Sequence, residues 1–538
     1  MPGAVVEYAV LAGFLFLGGT GHATTSTQAP PHIRYHSRAV LVGMSAVLTG
    51  GVHLFDMGPG KVGWVEGWRG RDESVSWTVR VDHKGTYELS SLLESSSEQC
   101  SITITIDRHP VTAKCGDAGW TRLHAGTVRL AAGTHSIVVT SSGAKPLSKL
   151  FSLEFITPGA AARLAAVARN ESPSTRWMVN AGYGLMFHWT SQTMPRQGQP
   201  KSYCDAVRDF NVNKFADMVA SMGAGFIVFT TSHAGFYFPG PNPVIDRVLP
   251  GRTCPRDLIG DLADALSRRR IRLELYFNPG HDDTGWWGRT HFDDPDKTAY
   301  FDLWCEIVAE IGKQYGNRLA GFWFDDAAFT YYPFNPSWER LARAARTGNP
   351  RRVLTFNSWI LPRLTDFEDV YAGENPWWDA KYEYHQFLPV GGDGRYTGGP
   401  QAGLQAEINA IINDDWGHFK ANEPISPPRM TADEIVPKMN DAMSRGEVPL
   451  LDVEVYQDGT ISPETLRLFQ AVRREVKRRA FWVAPISFPV SRQSRSGNRR
   501  CNHILVPGRA PRLEYRRVRK KTCEPTRASG RRILTSRT

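Results

Sequence analysis

Six residues of this chain close, or directly follow, short apolar runs: His188, His233, Tyr276, Asp325, Glu374 and Trp416. Two carboxylates among imidazoles and aromatic rings suit cleavage of a glycosidic bond. One carboxylate must be ionised to attack the anomeric carbon, and the other must hold a proton for the leaving oxygen. Trp189, Asn278, Asp326, Asn357 and His418 extend the same strand-end set. Each residue also has a structural reading. Asp325 or Asp326 can cap a helix, a lone strand-end histidine can be a satisfied core group, and Tyr276 and Trp416 can be packing. Glu368 competes with Glu374 for the acid role, and either can be a loop ion pair. The chain contains no CxxC, no HExxH, no phosphate-binding glycine loop and no dinucleotide fingerprint, so the reading includes no metal and no cofactor.

These residues need a frame. From about residue 177, apolar runs alternate with amphipathic ones. Strands are predicted over 183–189, 225–231, 271–277, 319–325, 352–357 and 448–455. Helices are predicted over 215–222, 258–267, 300–315 and 336–345. Strands six and seven are expected near 369–373 and 411–417. Repeated strand-helix units predict a (β/α)8-type barrel over 177–480, with polar residues at the strand C-termini facing the site. A doubly wound open sheet would want a glycine-rich ligand loop, which is missing. Upstream, residues 35–157 change to a period of two. Val75-Ser76-Trp77-Thr78-Val79-Arg80-Val81 and Ser101-Ile102-Thr103-Ile104-Thr105-Ile106 alternate strictly. Short strands at this spacing predict a β-sandwich.

The 538 residues carry 64 Lys+Arg against 54 Asp+Glu, a net of +10. Residues 481–538 hold 15 basic and two acidic residues, which leaves the remainder at 49 against 52. The excess therefore belongs to the tail, and nucleic acid is not expected as a partner of the folded domains. The tail is rich in Ser, Arg and Pro without helical or strand period, and it is expected to be disordered. An arginine-rich arm for polyanions and sequence foreign to the folded protein are the other readings of it. Residues 1–23 read as a signal peptide with an apolar stretch over 9–19, followed by a polar leader over 24–34, so the protein is expected to be secreted. That stretch is too short to span a bilayer. Cys100 and Cys115, fifteen apart in a strand-rich stretch, have a spacing compatible with a hairpin disulfide.

Several segments, in order, carry a family resemblance. Tyr183-Gly184-Leu185-Met186-Phe187-His188-Trp189 is similar to the F-G-I-F-I-H-W-G of glycoside hydrolase family 29 α-L-fucosidases. Phe229-Thr230-Thr231-Ser232-His233-Ala234-Gly235-Phe236 resembles L-T-T-K-H-H-D-G-F. Arg256-Asp257-Leu258-Ile259 resembles R-D-L-V, and Leu275-Tyr276-Phe277 resembles L-Y-Y. Phe322-Trp323-Phe324-Asp325 resembles L-W-F-D, whose Asp is the family nucleophile. Ile412-Asn413-Asp414-Asp415-Trp416-Gly417-His418 resembles L-N-D-S-W-G-Y. Leu450-Leu451-Asp452-Val453 with Asp458-Gly459-Thr460-Ile461 resembles L-L-L-N and D-G-T-I-P. The resemblance implies a retaining exo-glycosidase acting on α-L-fucosides. Asp325 would be the nucleophile, His188 and His233 would bind sugar hydroxyls, and Tyr276 and Trp416 would line the pocket. Asp366-Phe367 with Ala372-Gly373-Glu374-Asn375 echoes D-F-x-T-x-E-Y across an insertion and points to Glu374 as acid/base. The family's second histidine is Ala234 here, and the Arg of its N-D-R-W is replaced in Asn357-Ser358-Trp359. A catalytically degenerate barrel that only binds carbohydrate is the alternative. Residues 35–157 resemble the galactose-binding-like jelly-roll modules appended to glycoside hydrolases, through Val79-Arg80-Val81, Gly85-Thr86-Tyr87, Gly119-Trp120 and Ala132-Gly133-Thr134-His135.

Overall fold

In strand 101–106 every second residue is an isoleucine, so one face is apolar and the other is threonine and serine; Ile102, Ile104 and Ile106 are buried. The same alternation buries Val75, Trp77, Val79 and Val81 in Ser74–Val81. Faces of this kind require a second sheet. The computed structural model of the protein supplies one. It describes residues 31–55, 63–70, 72–116, 118–233, 235–278, 283–292, 294, 297–325, 336–357, 363, 365–372 and 390–476. One sheet runs His32–Ile33, Ser74–Val81, Gly133–Ser141, Ser101–Ile106, His109–Lys114, with Val47–Thr49 also on Ser74–Val81. The other runs Gly119–Leu130, Gly85–Ser95, Lys149–Ile156, Val65–Glu66, His53–Leu54, with Ala39–Val42 also on Lys149–Ile156. His32–Ile33 falls inside the stretch read as leader, where it pairs parallel to Arg80 and Val81. Cys100 and Cys115 form a disulfide at the open end of the hairpin made by Ser101–Ile106 and His109–Lys114.

Helix Pro158–Glu171 leaves the sandwich, capped by the Thr157 hydroxyl with Pro158 in its first turn. Eight parallel strands then close a barrel in sequence order: Gly184–Phe187, Phe226–Ser232, Arg272–Phe277, Leu319–Phe324, Val353–Phe356, Val370–Tyr371, Gln405–Ile411 and Val448–Asp452. Helices Val212–Met222, Leu258–Ser267, Thr298–Tyr315 and Trp338–Ala345 match the amphipathic runs. Asp257 caps the second of these by accepting the Gly260 N–H. A second disulfide, Cys204–Cys254, joins helix Tyr203–Asp209 to the loop before helix Leu258–Ser267, and Cys305 is a buried free thiol.

Alternation within each strand sorts side chains between two cores. Leu273, Leu275, Phe277, Phe322 and Phe324 pack outward with the helices. Met186, Val228, Tyr276, Trp323, Val353, Val370, Val448 and Leu450 form a separate cluster inside the barrel. The seventh strand corrects the expectation of 411–417, since it ends where that range begins. Its inward side chains are Gln405, Glu407 and Asn409, all buried. Polar residues in the lumen break the apolar signature by which the other strands are read.

Glu407 lies near Glu274 of the third strand, and both carboxyls are fully buried. Burial pushes Glu407 up to about 7 and Glu274 well above the carboxylate range, with Glu407 adding to the latter. Gly321 of the fourth strand makes room for Glu274, because a Cβ there would lie 2.5 Å from its Cδ. Gly321→Ala is therefore expected to destabilise the protein by about 1–3 kcal/mol through overpacking, read as a lowered midpoint in chemical denaturation. The putting of a methyl group here without loss of stability would contradict this packing. The signal peptide, most of the leader, Asp326, Glu374 and the basic tail lie outside the described residues. Among the described residues no helix is long and apolar enough to cross a membrane.

Candidate active site

Strand geometry puts six polar groups at one end of the barrel. His188 and Asn357 directly follow the first and fifth strands, and His233 and Asp325 follow the second and fourth. Tyr276 is the penultimate residue of the third strand, and Asp452 is the last of the eighth. A bulge between Thr230 and Ser232 re-aims the end of the second strand. There Thr231 and Ser232 donate to the carbonyls of Tyr276 and Asn278, at 2.9 and 3.0 Å, and fix the third strand's exit. The result is a small open hollow lined by Met186, His188, His233, Tyr276, Trp323, Asp325, Asn357 and Trp416.

Asp325 is half-buried in this hollow. Its Oδ1 accepts from Asn357 Nδ2 at 2.7 Å. Its Oδ2 accepts from the Tyr276 hydroxyl and, at 3.4 Å, from Asn278 Nδ2. All three partners donate, so both carboxylate oxygens act as acceptors. The aspartate is thus held by side chains from the third and fifth strand ends in the wall of the hollow. Below it, the Tyr276 ring stacks on Trp323 with centroids 5.3 Å apart and planes 14° apart. The Trp323 indole N–H donates to Glu407 Oε1 at 3.0 Å.

His188 is the hub of the opposite wall. Its ring lies 4.9 Å from Tyr276, 5.4 Å from His233 and 5.5 Å from Trp416. Its Nδ1 is 3.1 Å from Asp452 Oδ1, and both residues are buried. Burial pushes the imidazole down to about 4, against the pull of Asp325 and Asp415. At neutral pH the ring is an uncharged hydrogen-bonding group. Glu454 Oε1 accepts the backbone N–H of Asp414 and of Asp415, each at 3.1 Å, which sets the turn carrying Trp416. Its other oxygen lies 3.6 Å from His418 Nδ1. Asp415 is solvent-exposed on one side, yet partial desolvation raises its carboxyl above the usual range, with Glu454 adding to this and the Trp416 N–H and His188 opposing it.

Five of the six residues singled out from the sequence, His188, His233, Tyr276, Asp325 and Trp416, therefore meet in one hollow. Glu374 lies outside the described residues. Glu368, its rival, is buried and precedes the sixth strand, at the end of the barrel away from the hollow. Trp189 turns outward and donates to the Gln457 carbonyl at 3.0 Å. Trp323, Asp452 and Glu407 complete the site without having been singled out. Trp323 was legible in principle, because it stands two residues before Asp325 on the same face of a strand. Asp452 obeys the strand-end rule applied to the eighth strand. Glu407 gave no signal while the seventh strand was misplaced.

A closed eight-stranded parallel barrel whose strand C-termini gather a carboxylate, two imidazoles and aromatic rings defines a protein of the (β/α)8-barrel class with its candidate site at the C-terminal face. A profile of the family described as Alpha-L-fucosidase matches residues 203–476, just over half the chain. The protein belongs to that family. The tissue alpha-L-fucosidase of Bos taurus is 33% identical over 104 residues, 17% of this chain and 22% of that protein. A putative alpha-L-fucosidase of Caenorhabditis elegans is 22% identical over 287 residues, 46% of this chain and 45% of that one. The alpha-fucosidase structure of Thermotoga maritima aligns at 18% identity with a TM-score of 0.40, covering 57% of this chain and 74% of that one. The matched stretches span less than half the length of these curated relatives.

Trp323 is the one donor to Glu407 among the described residues, and Glu407 Oε2 already lacks a partner. Trp323→Phe should destabilise the fold by about 1–3 kcal/mol by orphaning the second oxygen as well. Urea denaturation measures this, and an unchanged midpoint would show that the bond contributes nothing.

Proposed function

We propose that this protein hydrolyses terminal α-L-fucosidic bonds with retention of configuration. The observation that carries the reading is Asp325, held by Tyr276, Asn278 and Asn357 in the wall of the open hollow. In the first step Asp325 attacks the anomeric carbon. The bond to the leaving oxygen breaks as that oxygen takes a proton from a carboxylic acid, giving a covalent glycosyl ester. In the second step the deprotonated acid removes a proton from water, which attacks the same carbon and releases Asp325. His188 and His233 hydrogen-bond the sugar hydroxyls, and Tyr276 and Trp416 line the pocket. Glu374 is the proposed acid/base. The chemistry asks for no metal or cofactor, and the partner is a carbohydrate. Membership of the α-L-fucosidase family supports the substrate.

The second reading, a barrel that binds sugar without cleaving it, is favoured by Ala234 and Ser358 standing where the family motifs carry His and Arg. Secretion is part of the proposal; the disulfides Cys100–Cys115 and Cys204–Cys254 support an oxidising compartment.

Asp325→Ala should lower turnover of an aryl α-L-fucoside by roughly 10³-fold or more while leaving the thermal midpoint near that of the parent. Undiminished turnover would remove Asp325 from the nucleophile role, and a parent protein that binds fucose but cleaves no glycoside would establish the binding-only reading. Asp415, whose raised carboxyl interacts with His188, is the other acid that the described residues offer here, and Glu374→Gln and Asp415→Asn separate the two. Loss of the acid/base spares substrates with good leaving groups far more than those with poor ones, and added azide restores turnover by replacing water as the incoming nucleophile. That pattern is expected in the Glu374 variant. Its appearance in the Asp415 variant instead would transfer the role.

A further inference from the structure

Asp452 ends the eighth strand, fully buried, with Oδ1 against His188 Nδ1 and Oδ2 without a hydrogen-bond partner. The titratable groups facing this pair come from every neighbouring element. Asp325 follows the fourth strand, Asp415 follows the seventh, and Glu454 lies two residues past Asp452 with His418 beside it; His233 and Tyr276 face the ring from the second and third strands. Three of these are carboxylates. Among the described residues Asp452 has no ion pair with lysine or arginine, and His188 is its one basic partner.

An ionised carboxylate buried beside a neutral ring would carry uncompensated charge, which is expensive. One extra proton within the Oδ1–Nδ1 contact removes that charge. If it sits on Asp452, the neutral ring must accept at Nδ1, so its own hydrogen is on Nε2. If it sits on Nδ1, the ring is an imidazolium and Nε2 again carries hydrogen. Only loss of the shared proton yields the other tautomer, with hydrogen on Nδ1 and a bare Nε2. Nδ1 is occupied by Asp452, so Nε2 is the nitrogen left for the hollow.

We propose that Asp452 is a positioning residue whose shared proton makes His188 a hydrogen-bond donor, through Nε2, to a hydroxyl oxygen of the bound sugar. The sugar rests on the function proposed above; the tautomer does not. Burial, with Glu454 and Asp415 adding to it and the Val453 N–H opposing, holds Asp452 well above the usual carboxylate range, in keeping with this state. The sign follows directly. The donor is present at low pH and is lost as pH rises through the titration of the pair.

The test is nitrogen-15 NMR of the full chain labelled at histidine, with the His188 signals identified by their loss in His188→Gln. At neutral pH Nε2 is expected to be protonated, and on raising the pH the ring should switch to the Nδ1–H tautomer. Asp452→Asn replaces a conditional donor with a permanent amide donor, so Nε2 should stay protonated across the same range; Asp452→Leu should remove the preference. Calorimetry with L-fucose supplies the second readout. Affinity should fall about tenfold on raising the pH in the parent, as for loss of one hydrogen bond, and stay level in Asp452→Asn. A bare Nε2 at neutral pH, or an Asn variant that follows the parent's pH course, overturns the proposal. Failure to bind fucose with the expected tautomers would instead remove the sugar reading and leave the role of Asp452 standing.

Discussion

Closure of a parallel barrel gives each strand one face that sees only other strands, and the site depends on what this chain places there. In most of the lumen the answer is apolar: Met186, Val228, Val353, Val370, Val448 and Leu450. Above that layer the inward positions become His188, Tyr276, Asp325, Asn357 and Asp452. No loop has to find these groups. Each is delivered by the hydrogen-bond register that closes the barrel, as when Tyr276 pairs with Trp323 and Phe277 with Phe324, bringing the Tyr276 hydroxyl to Asp325. Groups fixed by strand register are held with little reorganisation, which is what stabilising a charged transition state requires.

One sector of the lumen beneath the hollow, around Glu274 and Glu407, is polar, and this changes how the floor is held. Glu407 takes the Trp323 indole hydrogen, Trp323 stacks under Tyr276, and Tyr276 donates to Asp325. A chain of contacts thus runs from a buried carboxyl on the seventh strand to Asp325 in the wall of the hollow. Purely apolar packing would fill the same volume but would not fix the rotation of the indole. The wall opposite has a different logic. Burial outweighs two nearby carboxylates and keeps His188 neutral, so the ring is a hydrogen-bonding group of that wall rather than a counter-ion for Asp325.

Much of this was legible from residue order alone. Strict alternation in Ser74–Val81 and Ser101–Ile106 marked the sandwich, and apolar runs ending in His188, His233 and Asp325 marked barrel strands with their catalytic-end residues. The seventh strand was not legible. Gln405, Glu407 and Asn409 look like a polar surface stretch, yet they face a closed interior. Periodicity reports which residues differ from their neighbours; it does not report which face of a closed barrel is inside. The missed disulfide, Cys204–Cys254, has a separation of 50 residues, and such pairing follows from tertiary approach of a helix and a distant loop. Asp452 was within a quoted motif, but its importance comes from the ring across the barrel closure, 264 residues earlier in the chain.

The sandwich resembles an appended module in sequence, but its packing argues for a closer part in the barrel's stability. Val40, Val42, Trp64, Leu92, Trp120 and Phe151 of the sandwich belong to the same apolar cluster as Phe187, Phe215 and Leu275 of the barrel. Leu164 and Val167 of the connecting helix pack against it too. Ion pairs follow the same seam: Glu154, buried in the sandwich, is met by Arg38 and Arg122, while Arg163 of the connecting helix reaches Glu339 of the barrel. The exposed pairs contribute little by themselves. The shared apolar cluster is different in kind, since separating the two parts would return its seam to water at about 25 cal/mol per Å². On that side of the barrel, helix Trp338–Ala345 meets the connecting helix through Glu339 and Arg163, and its Trp338 packs on Phe356, the residue before Asn357.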